Sequence, residues 1–86
     1  MDCYRIIWKS SAEKELRKLP HDIITQLLEI IEKLAINPYP FNVKKLTSME
    51  HTYRIKYRNY RVVYEVLNNE VVVRIIRIGH RGEVYR

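Results

Sequence analysis

Cysteine, glycine and proline are all scarce in this chain, with one, two and three residues among 86. The lone Cys3 excludes an internal disulfide and is expected to be a small apolar strand residue. So little Gly and Pro, beside 47% hydrophobic residues, excludes a disordered or low-complexity segment. No apolar run approaches a membrane span, and Asp2, Arg5 and Lys9 interrupt the stretch where a signal region would be apolar. A reducing cytosol is therefore the expected compartment. No repeat or linker divides the chain, which reads as a single domain over residues 1–86. A chain this short buries only about 60–65% of its unfolded surface, so its core must be efficient.

The motifs of several enzyme classes are missing as well. No Cys/His/Asp/Glu spacing suggests a metal site, no Gly-rich loop suggests a phosphate cradle, and no Ser-His-Asp set is visible. Neither a metal nor a cofactor is expected. Of the three histidines, His21 reads as a helix-start residue and His51 as a loop residue, which leaves His80.

Charge is plentiful but uneven. Residues 1–43 carry six Lys/Arg against six Asp/Glu, whereas residues 44–86 carry ten against four, so the whole net charge of +6 lies in the second half. Such asymmetry points to an anionic partner, of which nucleic acid is the commonest.

The periodicity changes along the same line. Cys3 to Lys9 alternates as a half-buried strand, with Tyr4, Ile6 and Trp8 on one side. Ser10 and Glu13 have capping-box spacing, which predicts a helix with an Ala12–Leu16–Leu19 stripe and a Glu13–Arg17 pair. Pro20 breaks it and suits the first turn of a second helix, marked by Ile23, Ile24, Leu27, Leu28, Ile30, Ile31 and Leu34. Asn37-Pro38 ends that helix, and residues 38–50 read as a connector with a basic spot at Lys44-Lys45. Thr52–Tyr57, Tyr60–Leu67 and Val71–Ile78 then read as strands, joined by two-residue loops at Arg58-Asn59 and Asn68-Asn69. The expected class is α+β: an N-terminal strand, an antiparallel helix hairpin, then a three-stranded antiparallel meander forming one small sheet.

A loop at Arg58-Asn59 sets Tyr57 opposite Tyr60, Ile55 opposite Val62 and Tyr53 opposite Tyr64, one apolar face for the helices to cover. The other face then holds Lys56 across from Arg61, with Arg54 beside them, and Arg74 is expected opposite Val63. Like charges opposite one another destabilise a sheet, so the arrangement suggests a bound anion. Val63, Val72 and Ile76 fall among these cations, which suggests a cover both acidic and aliphatic. The final segment adds His80, Arg81 and Tyr85. Histidine can move protons near neutral pH, arginine can grip phosphate with two N–H groups, and tyrosine can stack on a base.

The runs Tyr53-Arg54-Ile55-Lys56-Tyr57-Arg58, Tyr60-Arg61-Val62-Val63-Tyr64, Ile78-Gly79-His80-Arg81 and Val84-Tyr85 closely resemble the RelE branch of the RelE/ParE toxin superfamily, and the resemblance covers nearly the whole chain. It implies a toxin of a toxin–antitoxin module that cuts mRNA in the ribosomal A site without metal. It also implies an antitoxin that wraps and silences the toxin. The expected state is a monomer by itself and a hetero-oligomer with that antitoxin, with no membrane partner. By resemblance, Arg54 and Lys56 are the paired basic residues, Arg61 steadies the scissile phosphate, and Arg81 and Tyr85 are the tail arginine and base-stacking tyrosine. Arg54 and His80 stand where lysines are usual, so His80 is the candidate proton donor. Arginine makes a poor base, which leaves Lys56, crowded by like charges, as the candidate base. Lys44, Lys45, Arg58 and Arg74 are expected to contact RNA. The rival reading is a ParE-like toxin that inhibits DNA gyrase without cutting RNA; a decayed or purely DNA-binding homologue is the third.

Overall fold

The structure, a computed structural model, describes residues 3–46 and 50–80, with His80 described by its backbone alone. In chain order the elements are β1 (Arg5–Trp8), α1 (Ser10–Arg17), α2 (His21–Leu34), β2 (Lys44–Lys45), β3 (Thr52–Tyr57), β4 (Tyr60–Leu67) and β5 (Val72–His80). The strands form one sheet in the order β1-β5-β4-β3-β2. The helix hairpin connects β1 to the far edge of the sheet, so β1 closes the near edge by running parallel to β5.

The α+β expectation holds, with four local corrections. The connector contains a fifth strand, because Lys44 and Lys45 pair with Arg54 and Tyr53 on the free edge of β3. Cys3 lies before β1 and is exposed, so it does not pack in a strand. Helix α1 begins at Ser10 itself: Lys9 is the N-cap residue, its carbonyl accepting from the Ala12 and Glu13 amides, and no side chain caps the helix. Pro20 takes the equivalent place before α2, one position ahead of the first turn.

One face of the sheet carries the core. Ala12 and Leu16 from α1 and Ile23, Leu27, Ile31 and Leu34 from α2 pack on Ile55, Val62, Tyr64, Val66, Val73, Ile75 and Ile78. The α2 stripe is narrower than its aliphatic content, since Leu28 remains 37% exposed. Each fully buried aliphatic side chain contributes about 1.5–3 kcal/mol. Truncating the wholly buried Leu27 to alanine is expected to cost about 2–5 kcal/mol.

A tyrosine clasp ties the connector to this core. The Tyr64 hydroxyl donates to the Pro38 carbonyl at 2.7 Å, while its ring stacks on Tyr53, which meets Tyr39 edge-on. Asn68 completes the clasp by accepting from the Tyr4 hydroxyl (2.7 Å) and donating to that of Tyr39 (3.1 Å). These bonds join the residue before β1, the connector and the β4–β5 turn.

Candidate nucleic-acid interface

The β3–β4 register follows the expected hairpin, with Tyr57 opposite Tyr60, Ile55 opposite Val62, and Lys56 directly opposite Arg61. Directly paired residues share a face. The second face therefore carries Lys44 and Arg54 as neighbours in one row and Lys56, Arg61 and Gly79 in the next. The Arg61 charge reaches Arg54. Burial first, and then the Arg61 charge, hold the Arg54 pKa below its usual value. A cation held in this way gains from a bound anion.

Burial on this face is deeper than its charge pattern suggests. Arg61 is only 7% exposed, whereas Lys56 is exposed. Val63 and Val72 were expected to need an external cover, yet they are 4% and 1% exposed. Val63 has Arg54 as its partner on β3 and Arg77 on β5. The aliphatic stems of long cationic side chains shield apolar neighbours in such a setting. The valines alone therefore do not require a greasy partner.

Of the two expected loops, Arg58-Asn59 holds and Asn68-Asn69 lengthens. The positive φ in the β3–β4 turn falls on Arg58 (56°) and not on Asn59, and the Arg58 guanidinium sits 5.4 Å from the Tyr57 ring centre. The β4–β5 turn spans residues 68–71, because β5 starts at Val72 opposite Leu67. A bulge between Val63 and Tyr64 then leaves Ile76 unopposed. As a result Arg77, not Arg74, lies opposite Val63. Arg74 lies opposite Glu65 and pairs with it at 3.6 Å. Its charge is thus partly satisfied within the fold. Sequence reasoning overlooked Glu65 and Arg77, because neither the longer turn that sets Arg74 against Glu65 nor the bulge that sets Arg77 opposite Val63 has a signal in a regular alternation.

β5 extends two residues beyond its expected end, so His80 belongs to the strand, its backbone paired with Tyr60. Gly79, opposite Arg61, leaves a step in the face without a side chain, where a ligand can approach the backbone closely. Lys44 shares the face of Arg54, while Lys45 shares that of Tyr53, so the basic spot is split between the two sides. Arg81 and Tyr85 lie outside the described residues. Clefts of about 370 Å³ (including Ile30, Leu34 and Pro40) and 330 Å³ (including His51 and Asn69) contain none of the cations of this face. The candidate site is a sheet face rather than either of these clefts. Among the described residues, no three His/Cys/Asp/Glu side chains are grouped to hold a metal, and no helix is long and apolar enough to cross a membrane.

Comparison with known proteins places this architecture. Residues 6–85 match the family described as ParE toxin of type II toxin-antitoxin system, parDE. The chain is 36% identical to the mRNA interferase toxin RelE of Escherichia coli K12, over 95% of this chain and 90% of that one. The crystal structure of the isolated E. coli RelE toxin superposes with a TM-score of 0.82, again at 36% identity, 95% coverage of this chain and 90% of that one. The archaeal RelE–RelB complex from Pyrococcus horikoshii gives a TM-score of 0.83 at 30% identity, covering 94% of this chain and 98% of that chain. With matches in sequence and fold over nearly its whole length, the chain belongs to the RelE/ParE toxin superfamily, on its RelE-like branch.

Proposed function

We propose that the chain is the toxin of a toxin–antitoxin module and acts as a metal-independent endoribonuclease on mRNA in the ribosomal A site. The observation that carries this reading is the direct pairing of Lys56 with Arg61, beside Arg54, on the sheet face opposite the helix-covered core. The names of its relatives agree, since one 36% identical is an mRNA interferase toxin.

The chemistry follows from the residue types. A ribose 2′-OH loses its proton and attacks the adjacent phosphorus in line, and the 5′-oxygen leaves with a proton. Arg61 and Arg54 stabilise the charge that builds on the phosphoryl oxygens. Lys56, exposed next to them, takes the role of base. His80 supplies the leaving-group proton, Arg81 grips phosphate and Tyr85 stacks on a base. Lys44, Arg58 and Arg74 extend contact along the RNA, while Lys45, on the face of Tyr53, stays out of it.

The partner we propose is a cognate antitoxin with an acidic segment that neutralises the cations, in keeping with the RelB complexes of its structural relatives. The toxin alone is a cytoplasmic monomer and joins a hetero-oligomer with the antitoxin.

The matched family description names ParE, so gyrase inhibition is the second reading. Primer extension on mRNA after induction, beside a gyrase supercoiling assay, separates the two. Cleavage within codons with supercoiling intact is the expected result. Supercoiling inhibition without cleavage would overturn the nuclease reading.

A further inference from the structure

The outer edge of β5 has two different neighbours along its length. β1 pairs with it from Arg5 opposite Val72 to Trp8 opposite Ile75, and the Lys9 amide then donates to the Ile75 carbonyl. The chain then turns into α1, so β5 continues beyond its partner. In a regular strand the next amide to point outward would belong to Arg77, two residues on. The unopposed Ile76 shifts that alternation by one, and the outward amide is that of Ile78.

A carboxylate meets it. The Ile78 amide donates to Glu15 Oε1 at 2.9 Å, and Arg77 Nη2 lies 3.8 Å from Glu15 Oε2. Both oxygens of one half-buried α1 side chain are therefore engaged on consecutive residues of β5, in the gap that β1 leaves. Gly79 follows at once, opposite Arg61, and then His80, opposite Tyr60. A backbone N–H to carboxylate bond is charge-assisted and stronger than a neutral one.

We infer that Glu15 is a positioning residue for the nuclease: it takes the place of a missing strand neighbour and fixes the last stretch of β5, from which His80 and Arg81 continue, beside Arg61. The inference rests on the nuclease reading above. Glu15 stands on the outer edge of β5, away from the Lys56–Arg61 pair on β3 and β4, so its effect reaches the chemistry through the β5 backbone. Loss of the bond lets the end of β5 fray, and the groups that follow it are then held in the reactive arrangement for less of the time.

The test combines amide hydrogen exchange with ribosome-dependent cleavage kinetics on purified wild-type protein and Glu15 variants. Glu15→Ala is expected to speed exchange at Ile78 and its neighbours and to lower kcat about tenfold, with KM and the exchange of the α2 core unchanged. Glu15→Gln keeps an acceptor oxygen for Ile78 while losing the charge towards Arg77, and is expected to restore most of both protection and kcat. Should Glu15→Ala not fold, Glu15→Asp, whose shorter carboxylate keeps the charge but falls short of Ile78, carries the same expectation. Unchanged protection at Ile78 would overturn the clamp. Faster exchange with wild-type kcat, or a rise in KM alone, would overturn the positioning role. A wild-type protein that cuts no mRNA would instead overturn the nuclease reading, and the exchange result would still decide the clamp.

Discussion

Lys56 on β3 and Arg61 on β4 are direct cross-strand partners, one exposed and the other almost wholly buried. Two like charges in this position oppose folding by a few tenths to about 1 kcal/mol. Lys56→Glu converts the repulsion to attraction and is expected to raise the melting temperature at low salt, an advantage that shrinks as salt is added. The same variant should bind RNA more weakly. Thermal melts at two ionic strengths, set beside binding titrations, check both halves. A variant less stable than wild type would show that the pair is already compensated within the fold.

Arg61 calls for a different experiment, because its side chain is only 7% exposed. On the proposed mechanism Arg61→Ala removes a transition-state contact, and it should lower cleavage about 10²–10³-fold. It also removes a long, nearly buried side chain, so some stability is expected to go with it. Arg61→Lys keeps the charge but loses the planar fork. We expect it to fold like wild type and still lose at least tenfold in rate. Equal activity of the lysine variant and wild type would reduce Arg61 to a point charge.

The split of the two edge lysines offers a sharper contrast. Lys44 lies in the row of Arg54 and Lys45 on the side of Tyr53. Lys44→Ala should reduce the slope of log affinity for RNA against log salt by about 1, while Lys45→Ala leaves it nearly unchanged. Equal effects from the two substitutions would mean that RNA wraps the edge of the sheet rather than lying on one face.

The sequence made the site legible wherever regular alternation held. The pairs from Tyr57–Tyr60 through Tyr53–Tyr64 depend on one tight turn, so the face shared by Arg54, Lys56 and Arg61 could be drawn from residue order alone. Two irregularities hid the rest. The turn after Leu67 uses four residues instead of two, and the bulge at Ile76 adds one more, which moved Arg74 to Glu65 and brought Arg77 opposite Val63. β2 was illegible for another reason. Two residues are too few to show a period, and only the free edge of β3 makes Lys44-Lys45 a strand. The role of Glu15 depends on a bond spanning 63 positions, and the local charge pattern of α1 gives no hint of it.

The tyrosine clasp predicts how stability responds to alkali. Burial, with smaller contributions from Tyr53 and Tyr39, pushes the Tyr64 pKa well above its usual value, and burial together with Tyr39 raises that of Tyr53. Unfolded tyrosines ionise near pH 10, so above that pH the native state binds more protons than the unfolded chain. This contribution is fully present below about pH 10 and is lost as pH rises towards the folded values. Denaturation midpoints should hold steady to about pH 9.5 and then fall. Tyr64→Phe removes the bond to Pro38 at a cost of about 1 kcal/mol and should flatten the alkaline fall. An unchanged fall in that variant would assign it to other groups.

Val71 closes the β4–β5 turn with φ 54°, a left-handed conformation that a β-branched residue adopts only at a cost. Its amide donates to the Asn68 carbonyl at 3.2 Å and its side chain is 40% exposed, so the conformation is held by the turn rather than by packing. Replacing it should therefore relieve strain without opening the core. Asparagine enters this region readily and carries less of glycine's unfolded-state entropy, so Val71→Asn is expected to stabilise the fold by about 1 kcal/mol. For a domain of this size that corresponds to a rise of roughly 4–8 °C in melting temperature. Val71→Gly should gain less, because its extra freedom in the unfolded chain offsets part of the relief. Both variants should leave RNA cleavage unchanged, since the turn lies at the opposite end of β5 from Gly79 and Arg61. A loss of stability in Val71→Asn would mean that the valine side chain contributes more through contact than its backbone costs in strain.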